Sequence, residues 1–198
     1  MKILIAGDSF GADWTVKYNE YPGWPNLLAK KYEVTNVAKA SIGQYKILKQ
    51  LIEQDLNKFD TIIVCNTHPF RVHTRQHPLH SKDILHSNAD LLLNDTFSHW
   101  NPFNLSLKAA KNFFLYHWDE QHALDIYRLI AQEQERILDE LNVIHLKNFK
   151  DVDVISKHHT IDTTQLQGGI INHKDKTGNE IIYRDIDKRL TNSIDMLY

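Results

Sequence analysis

Met1-Lys-Ile-Leu-Ile-Ala-Gly-Asp-Ser-Phe-Gly11 joins a short apolar run to a glycine and then presents Asp8 and Ser9. Four to eight apolar residues bounded by a turn signal read as a buried strand, which places a strand over Ile3 to Ala6 and ends it at the glycine. Ser9 then sits just past the carboxyl end of the first strand, at the edge of an open α/β sheet where ligands bind. Gly, Asp and Ser are also common turn formers, so this stretch alone reads equally as a plain turn.

Downstream, the pattern repeats. Tyr21-Pro-Gly-Trp-Pro25 sets a helix start, because proline suits the first helical turn, and Leu27, Leu28 and Tyr32 supply its apolar face. Val34 to Val37 reads as a second strand. Tyr45, Leu48, Leu51, Ile52 and Leu56 recur at helical spacing and predict an amphipathic helix over 44–57. Thr61-Ile-Ile-Val-Cys65 is a third strand that runs into Asn66-Thr-His68. Strand, helix, strand, helix, strand implies parallel strands joined by right-handed crossovers, with both sheet faces covered.

The stretch from about 69 to 116 lacks sustained periodicity, carries Pro69, Pro78 and Pro102, and is dense in His, Asn and aromatic residues. It reads as a long excursion with short helical pieces, and loops of that length inside a domain are usually functional covers or mobile segments. Order returns with a helix over 117–141, whose Tyr127, Ile130, Ile137, Leu138 and Leu141 face inward. Val143 to Leu146 makes a fourth strand, Val152 to Ile155 a short one, and a last helix carries Ile182, Ile186, Leu190, Ile194 and Leu197. No repeat or linker divides residues 1–198, so a single domain is expected.

Composition narrows the class. Hydrophobic residues at 42%, charged residues at 24% and a net charge of −2 are ordinary for a globular protein and favour neither nucleic acid nor an anionic membrane as partner. Cys65 is the lone cysteine, which excludes an intrachain disulfide and suits a reducing compartment. With no apolar segment of signal-peptide or membrane-spanning length, a cytoplasmic protein is expected.

Three strand ends line up at one sheet edge, with Ser9, Gly43 and Asn66 after them in turn, and His173 lies directly before the last helix. Serine, histidine and donors from a backbone N–H and an amide are what acyl transfer requires. The hydroxyl is a weak nucleophile without a base, and the tetrahedral oxyanion needs preorganised donors. In these four positions the chain resembles the SGNH/GDSL hydrolase superfamily. The resemblance implies a three-layer α/β/α sandwich with a mostly parallel, flavodoxin-like sheet and an esterase, lipase or carbohydrate-deacetylase activity. It also implies Ser9 as nucleophile, His173 as its base, and an oxyanion hole of Ser9 N–H, Gly43 N–H and the Asn66 side chain. A short acyl ester, such as an O-acetylated carbohydrate, is the expected substrate, with no cofactor and no metal.

Two positions depart from the family pattern. Val64-Cys65-Asn66-Thr67 lacks the glycine and aspartate of the third block, and Ile170 stands where an aspartate usually orients the histidine. Asp162 and Asp175 are the candidate substitutes, and Asp8 a further supporting residue. The missing orienter keeps two other readings open, a non-catalytic binding domain of the same fold and an acyltransferase using the same site. Among the twelve histidines, His68, His73, His77, His80 and His86 fall in the excursion without a zinc signature, and His68 is the one placed to line the site. The aromatics Phe97, Trp100, Phe103, Phe113, Phe114, Tyr116 and Trp118, like Trp14 and Trp24, read as anchors or as cleft walls.

Overall fold

The structure, a computed structural model, describes residues 1–150 and 152–195. Five strands, β1 (Lys2–Gly7), β2 (Glu33–Asn36), β3 (Thr61–Cys65), β4 (Val143–Lys147) and β5 (His159–Asp162), form one sheet in the order β2-β1-β3-β4-β5. Every pairing is parallel, with Ile5 opposite both Asn36 and Ile63, and Val64 opposite His145. Six α-helices accompany it: α1 (Trp24–Leu28), α2 (Gln44–Ile52), α3 (Leu93–Ser98), α4 (Leu105–Tyr116), α5 (Glu120–Leu138) and α6 (Lys176–Asp195). None is long and apolar enough to cross a membrane among the described residues.

Strand periodicity sorts the core into two layers. Ile3, Ile5, Ile63, Cys65, Ile144, Leu146 and Ile161 pack against Trp24 and Leu28 of α1 and Ile182, Ile186 and Leu190 of α6. Their neighbours Leu4, Ala6, Ile62, Val64 and Val143 face Ile47 and Leu51 of α2 and Leu138 of α5. The result is a three-layer α/β/α sandwich, as the strand–helix alternation predicts. Gly7 ends β1 at φ +152°, and a Cβ there would collide with Cys65 of the adjoining strand, so only glycine permits this exit.

Several expected boundaries shift. α2 stops at Ile52, and Leu56 lies in a separate 3-10 turn (Leu56–Lys58). Its buried face is Gln44, Ile47, Leu48 and Leu51, with Tyr45 and Ile52 exposed. α1 is only five residues long, and the chain reaches Tyr32 through turns. The strand expected at Val152 to Ile155 is not formed; the fifth strand is His159–Asp162, where Thr160 and Ile161 pair with β4. α5 starts at Asp119, whose carboxylate accepts the His122 N–H, and it buries Tyr127, Ala131, Gln134 and Leu138. Leu197 and the side chain of Ile194 lie outside the described residues.

The excursion contains α3 and α4, and α4 is a three-turn helix that buries Leu107, Ala110 and Phe114. The aromatics divide between both readings: Phe114 is buried, Phe113 and Trp118 line a cavity, and Trp100, Phe103 and Tyr116 are exposed. Asp90 pins the excursion to the start of α2. Its buried carboxylate accepts the N–H groups of Gly43 (2.7 Å) and Thr74 (2.9 Å) and pairs with Lys46 Nζ at 2.7 Å, while its own N–H donates to Ser41 O. Removing one partner of such a buried pair strands the others in low dielectric. Asp90→Ala is therefore expected to cost about 3 kcal/mol, read from denaturant midpoints, and to speed proteolytic nicking within 69–116.

Candidate active site

Five successive carbonyls shape the loop after β1. Asp8 O accepts from the N–H groups of Gly11 and Ala12 (both 3.1 Å), which makes the turn. Ser9 O takes the indole N–H of Trp14 (2.7 Å), Phe10 O that of Trp24 (2.8 Å), and Gly11 O the side-chain amide of Asn36 (2.9 Å). Asn172 Nδ2 donates to Phe10 O and Ala12 O, both at 2.9 Å. A loop so fully bonded holds Ser9 in one place. Asp8 anchors its base from below, accepting the Phe10 N–H at 3.0 Å. Burial raises the Asp8 carboxyl to about 6, while the Arg71 guanidinium, that N–H and the Thr67 hydroxyl favour its ionised form.

His173 arrives from the far end of the chain. A 3-10 turn (Ile171–His173) carries Asn172 and His173 at φ 52° and 56°, the left-handed region that Asn tolerates and His seldom adopts. Gly23 makes room for the turn, because a Cβ there would strike Asn172 Oδ1. The outcome is one contact: His173 Nε2 lies 2.8 Å from Ser9 Oγ. The imidazole is flanked by Phe10 (centroids 4.6 Å apart) and the edge of Trp14 (5.4 Å). Burial of the ring, followed by the charges of Arg71, Lys174 and His86, pushes His173 down to about 4. It is a neutral acceptor at pH 7.

Neither candidate for the missing orienting aspartate reaches this ring. Asp162 Oδ1 accepts from the N–H (2.8 Å) and hydroxyl (2.6 Å) of Thr164, and Asp175 Oδ1 from the Gly178 N–H (2.6 Å) at the start of α6. Among the described residues, none accepts a hydrogen bond from Nδ1 of His173, and Ile170 is exposed. The next residue, Lys174, is buried, with its ammonium donating to Thr163 O at 2.7 Å above the Phe10 ring.

Two expected oxyanion donors are already engaged. Gly43 N–H points at Asp90, as described above, so it has no hydrogen for an oxyanion. Asn66 follows the even-numbered series of β3 into the α2–α5 layer, away from the α1–α6 side on which Ser9 leaves β1. There its Oδ1 accepts from Gln44 Nε2 (2.8 Å) and Gln134 Nε2 (3.1 Å), and its Nδ2 meets His145 Nδ1 (3.0 Å). His145 Nε2 in turn lies 3.0 Å from Glu135. Asn66 keeps one Nδ2 hydrogen, and Ser9 N–H has no acceptor among the described residues.

His68 stands two rings removed from the pair, packed on Phe149 (5.4 Å), which packs on Phe10 (5.4 Å), which flanks His173. Of the remaining histidines, His77, His80 and Asp95 bring three ligand atoms within 4.8 Å of one another. The His77 tautomer disfavours a metal there. Its Nδ1 accepts the N–H groups of Leu79 and His80, which leaves the proton on Nε2, where a metal needs a lone pair. That buried Nε2 sits 3.4 Å from Asp95, a clamp within the excursion.

Two residues that shape the site escaped the sequence reading, Asn172 and Arg71. Asn172 acts through amide hydrogens that no spacing marks, whereas Trp14, read as an anchor or cleft wall, anchors the loop through its indole N–H. Arg71 follows Thr67 by one turn: its Nε donates to Thr67 Oγ1 (3.1 Å) and its Nη1 to Ser41 O (3.2 Å). It also lines a cavity of about 220 Å³ together with Gly43, Tyr45, Trp118, His122 and Tyr127.

No protein-family model matches the chain, and no curated protein matches it in sequence. In structure it is similar to "a putative lipolytic protein of G-D-S-L family" from Desulfitobacterium hafniense DCB-2, with a TM-score of 0.50 and 12% identity over 92% of this chain and 95% of that one. At that identity the likeness speaks for the fold alone: the two chains share a parallel α/β/α sandwich.

Proposed function

We propose that the protein is a serine-dependent ester hydrolase, and the 2.8 Å contact between Ser9 Oγ and His173 Nε2 carries the reading. In the Nδ1-protonated tautomer, the Ser9 O–H donates to His173 Nε2 and the oxygen attacks the ester carbonyl. Collapse of the tetrahedral adduct breaks the ester C–O bond, and the proton held on Nε2 passes to the leaving alcohol. Water then attacks the acyl-serine with the same base, releasing the acid. Ser9 N–H, which has no acceptor among the described residues, is the donor left for the oxyanion. A short acyl group suits the site, because Ser9 is only 2% exposed and a long chain has little room at its oxygen.

The lack of a carboxylate behind His173 favours slow turnover. An orienter fixes the tautomer and offsets the imidazolium that forms, and here the neighbours are cations instead. The same observation supports the second reading, a binding domain that has kept the fold and the pair without turnover. A fluorophosphonate probe separates them by intact mass. A single adduct on Ser9, absent in Ser9→Ala and formed at least about 100-fold more slowly in His173→Ala, is the expected result; well-folded protein that stays unlabelled overturns the hydrolase reading.

The pH profile follows from the state of the base. Protonated His173 cannot accept from Ser9, so kcat/KM should hold from neutral pH down to about 5 and fall below it with a midpoint near 4. An unperturbed imidazole would place that limb near ~6.5.

A further inference from the structure

The cavity lined by Arg71 and Gly43 has an unbalanced wall. Two carboxylates reach it, and both are spent: Asp90 on Gly43, Thr74 and Lys46, Asp119 on the first turn of α5. Lys46, the nearest ammonium, is in turn held by Asp90 and by the carbonyls of Thr74 and Asn88. Arg71 is different. Both of its hydrogen-bond acceptors are neutral oxygens, and among the described residues it forms no ion pair. Those two bonds occupy Nε and one Nη1 hydrogen, which leaves three guanidinium hydrogens and a charge held rigidly in place. A guanidinium fork presented in this way matches the oxygens of a carboxylate or phosphate.

Its position ties that charge to the chemistry. Arg71 lines the cavity with Gly43, and its Nε bond to Thr67 Oγ1 (3.1 Å) joins it, through the Thr67 hydroxyl on Asp8, to the residue that precedes Ser9; its charge bears on Asp8 and His173. The rest of the wall is aromatic, with Tyr45, Phe113, Trp118 and Tyr127, and imidazoles of His73, His117 and His122 edge it. Flat apolar faces of this kind stack on a sugar ring.

Building on the hydrolase reading, we propose that the ester cleaved at Ser9 is borne on an anionic carbohydrate, and that Arg71 receives its carboxylate or phosphate while the ring lies in the aromatic cavity. The anion does two things at once. It gives a direct partner to a guanidinium whose hydrogen bonds otherwise go to neutral oxygens, and it screens a charge that opposes formation of the His173 imidazolium, so that binding of the correct substrate makes the base more competent.

The test uses three methyl glycosides acetylated at the same hydroxyl: a glucoside, the matching glucuronide, and the glucoside 6-phosphate, with acetate release as the readout. Wild type is expected to favour one or both charged esters over the neutral one by at least about tenfold in kcat/KM. Arg71→Met should bring that ratio to near one, Arg71→Lys should retain part of it, and salt should erode it. The better of the two anions identifies the source of the charge. Calorimetric titration of the deacetylated glucuronide, the glucoside phosphate and the glucoside into wild type and Arg71→Met reads the same preference without turnover. Hydrolysis of all three esters at equal rates overturns the anionic subsite and leaves the hydrolase reading intact. Arg71-dependent binding of a charged sugar without a Ser9 adduct keeps the subsite and overturns hydrolysis. Equal binding of charged and neutral sugars overturns it even if every ester is cleaved.

Discussion

The side-chain amide of Asn172 joins the two ends of the chain. Its two hydrogens go to Phe10 O and Ala12 O, so the loop that carries Ser9 and the turn that carries His173 share one buried hydrogen-bonded node. The node holds both residues of the turn in left-handed conformations that they would not keep in isolation. Strain of this kind persists only where the surroundings over-determine it, and it concentrates at functional sites. Trp14 and Trp24 complete the frame, since each spends its indole N–H on a carbonyl of the Ser9 loop. Without that frame the 2.8 Å contact between Ser9 and His173 would have no reason to form.

The electrostatics of the site follow from what this frame leaves out. A serine hydrolase usually sets a carboxylate behind its imidazole, and here the charges that bear on His173 are those of Arg71, the buried Lys174 and His86. Burial and positive charge together keep His173 neutral far into the acid range. A neutral imidazole is the right form to accept a proton, but a weakly basic one gains little from doing so. Under the proposal of an anionic substrate, an anion at Arg71 would remove part of the opposition to imidazolium, and substrate choice and base strength would be one property of the site.

Strand parity explains why the family-like positions split. In β1 and β3 the even-numbered residues face α2 and α5, and Asp8 and Asn66 extend that series, while Ser9 leaves on the opposite side. Asn66 is therefore drawn into a buried network with Gln44, Gln134 and His145, and Gly43 N–H is claimed by Asp90 from the excursion. A chain with these letters in the expected order has thus engaged two of the expected oxyanion donors structurally.

Much of this protein was legible in the sequence because it rests on local periodicity. Apolar runs of four to six residues between amphipathic helices dictate parallel strands buried on both faces, and that set the sandwich, the sheet edge and the place of Ser9 and His173 along the chain. The excursion was legible as an interruption of that periodicity, though α4, with its apolar stripe at Leu107, Ala110 and Phe114, was not. What only the tertiary structure decided are the partners of single polar atoms: Asp90 on Gly43 N–H, Asn172 on the Ser9 loop, Arg71 hydrogen-bonded only to neutral oxygens, and Asp162 and Asp175 turned away from His173. The reason is physical. Hydrophobic patterning is a sum over many residues and survives in one dimension, whereas a hydrogen bond depends on two atoms brought together from distant points of the chain.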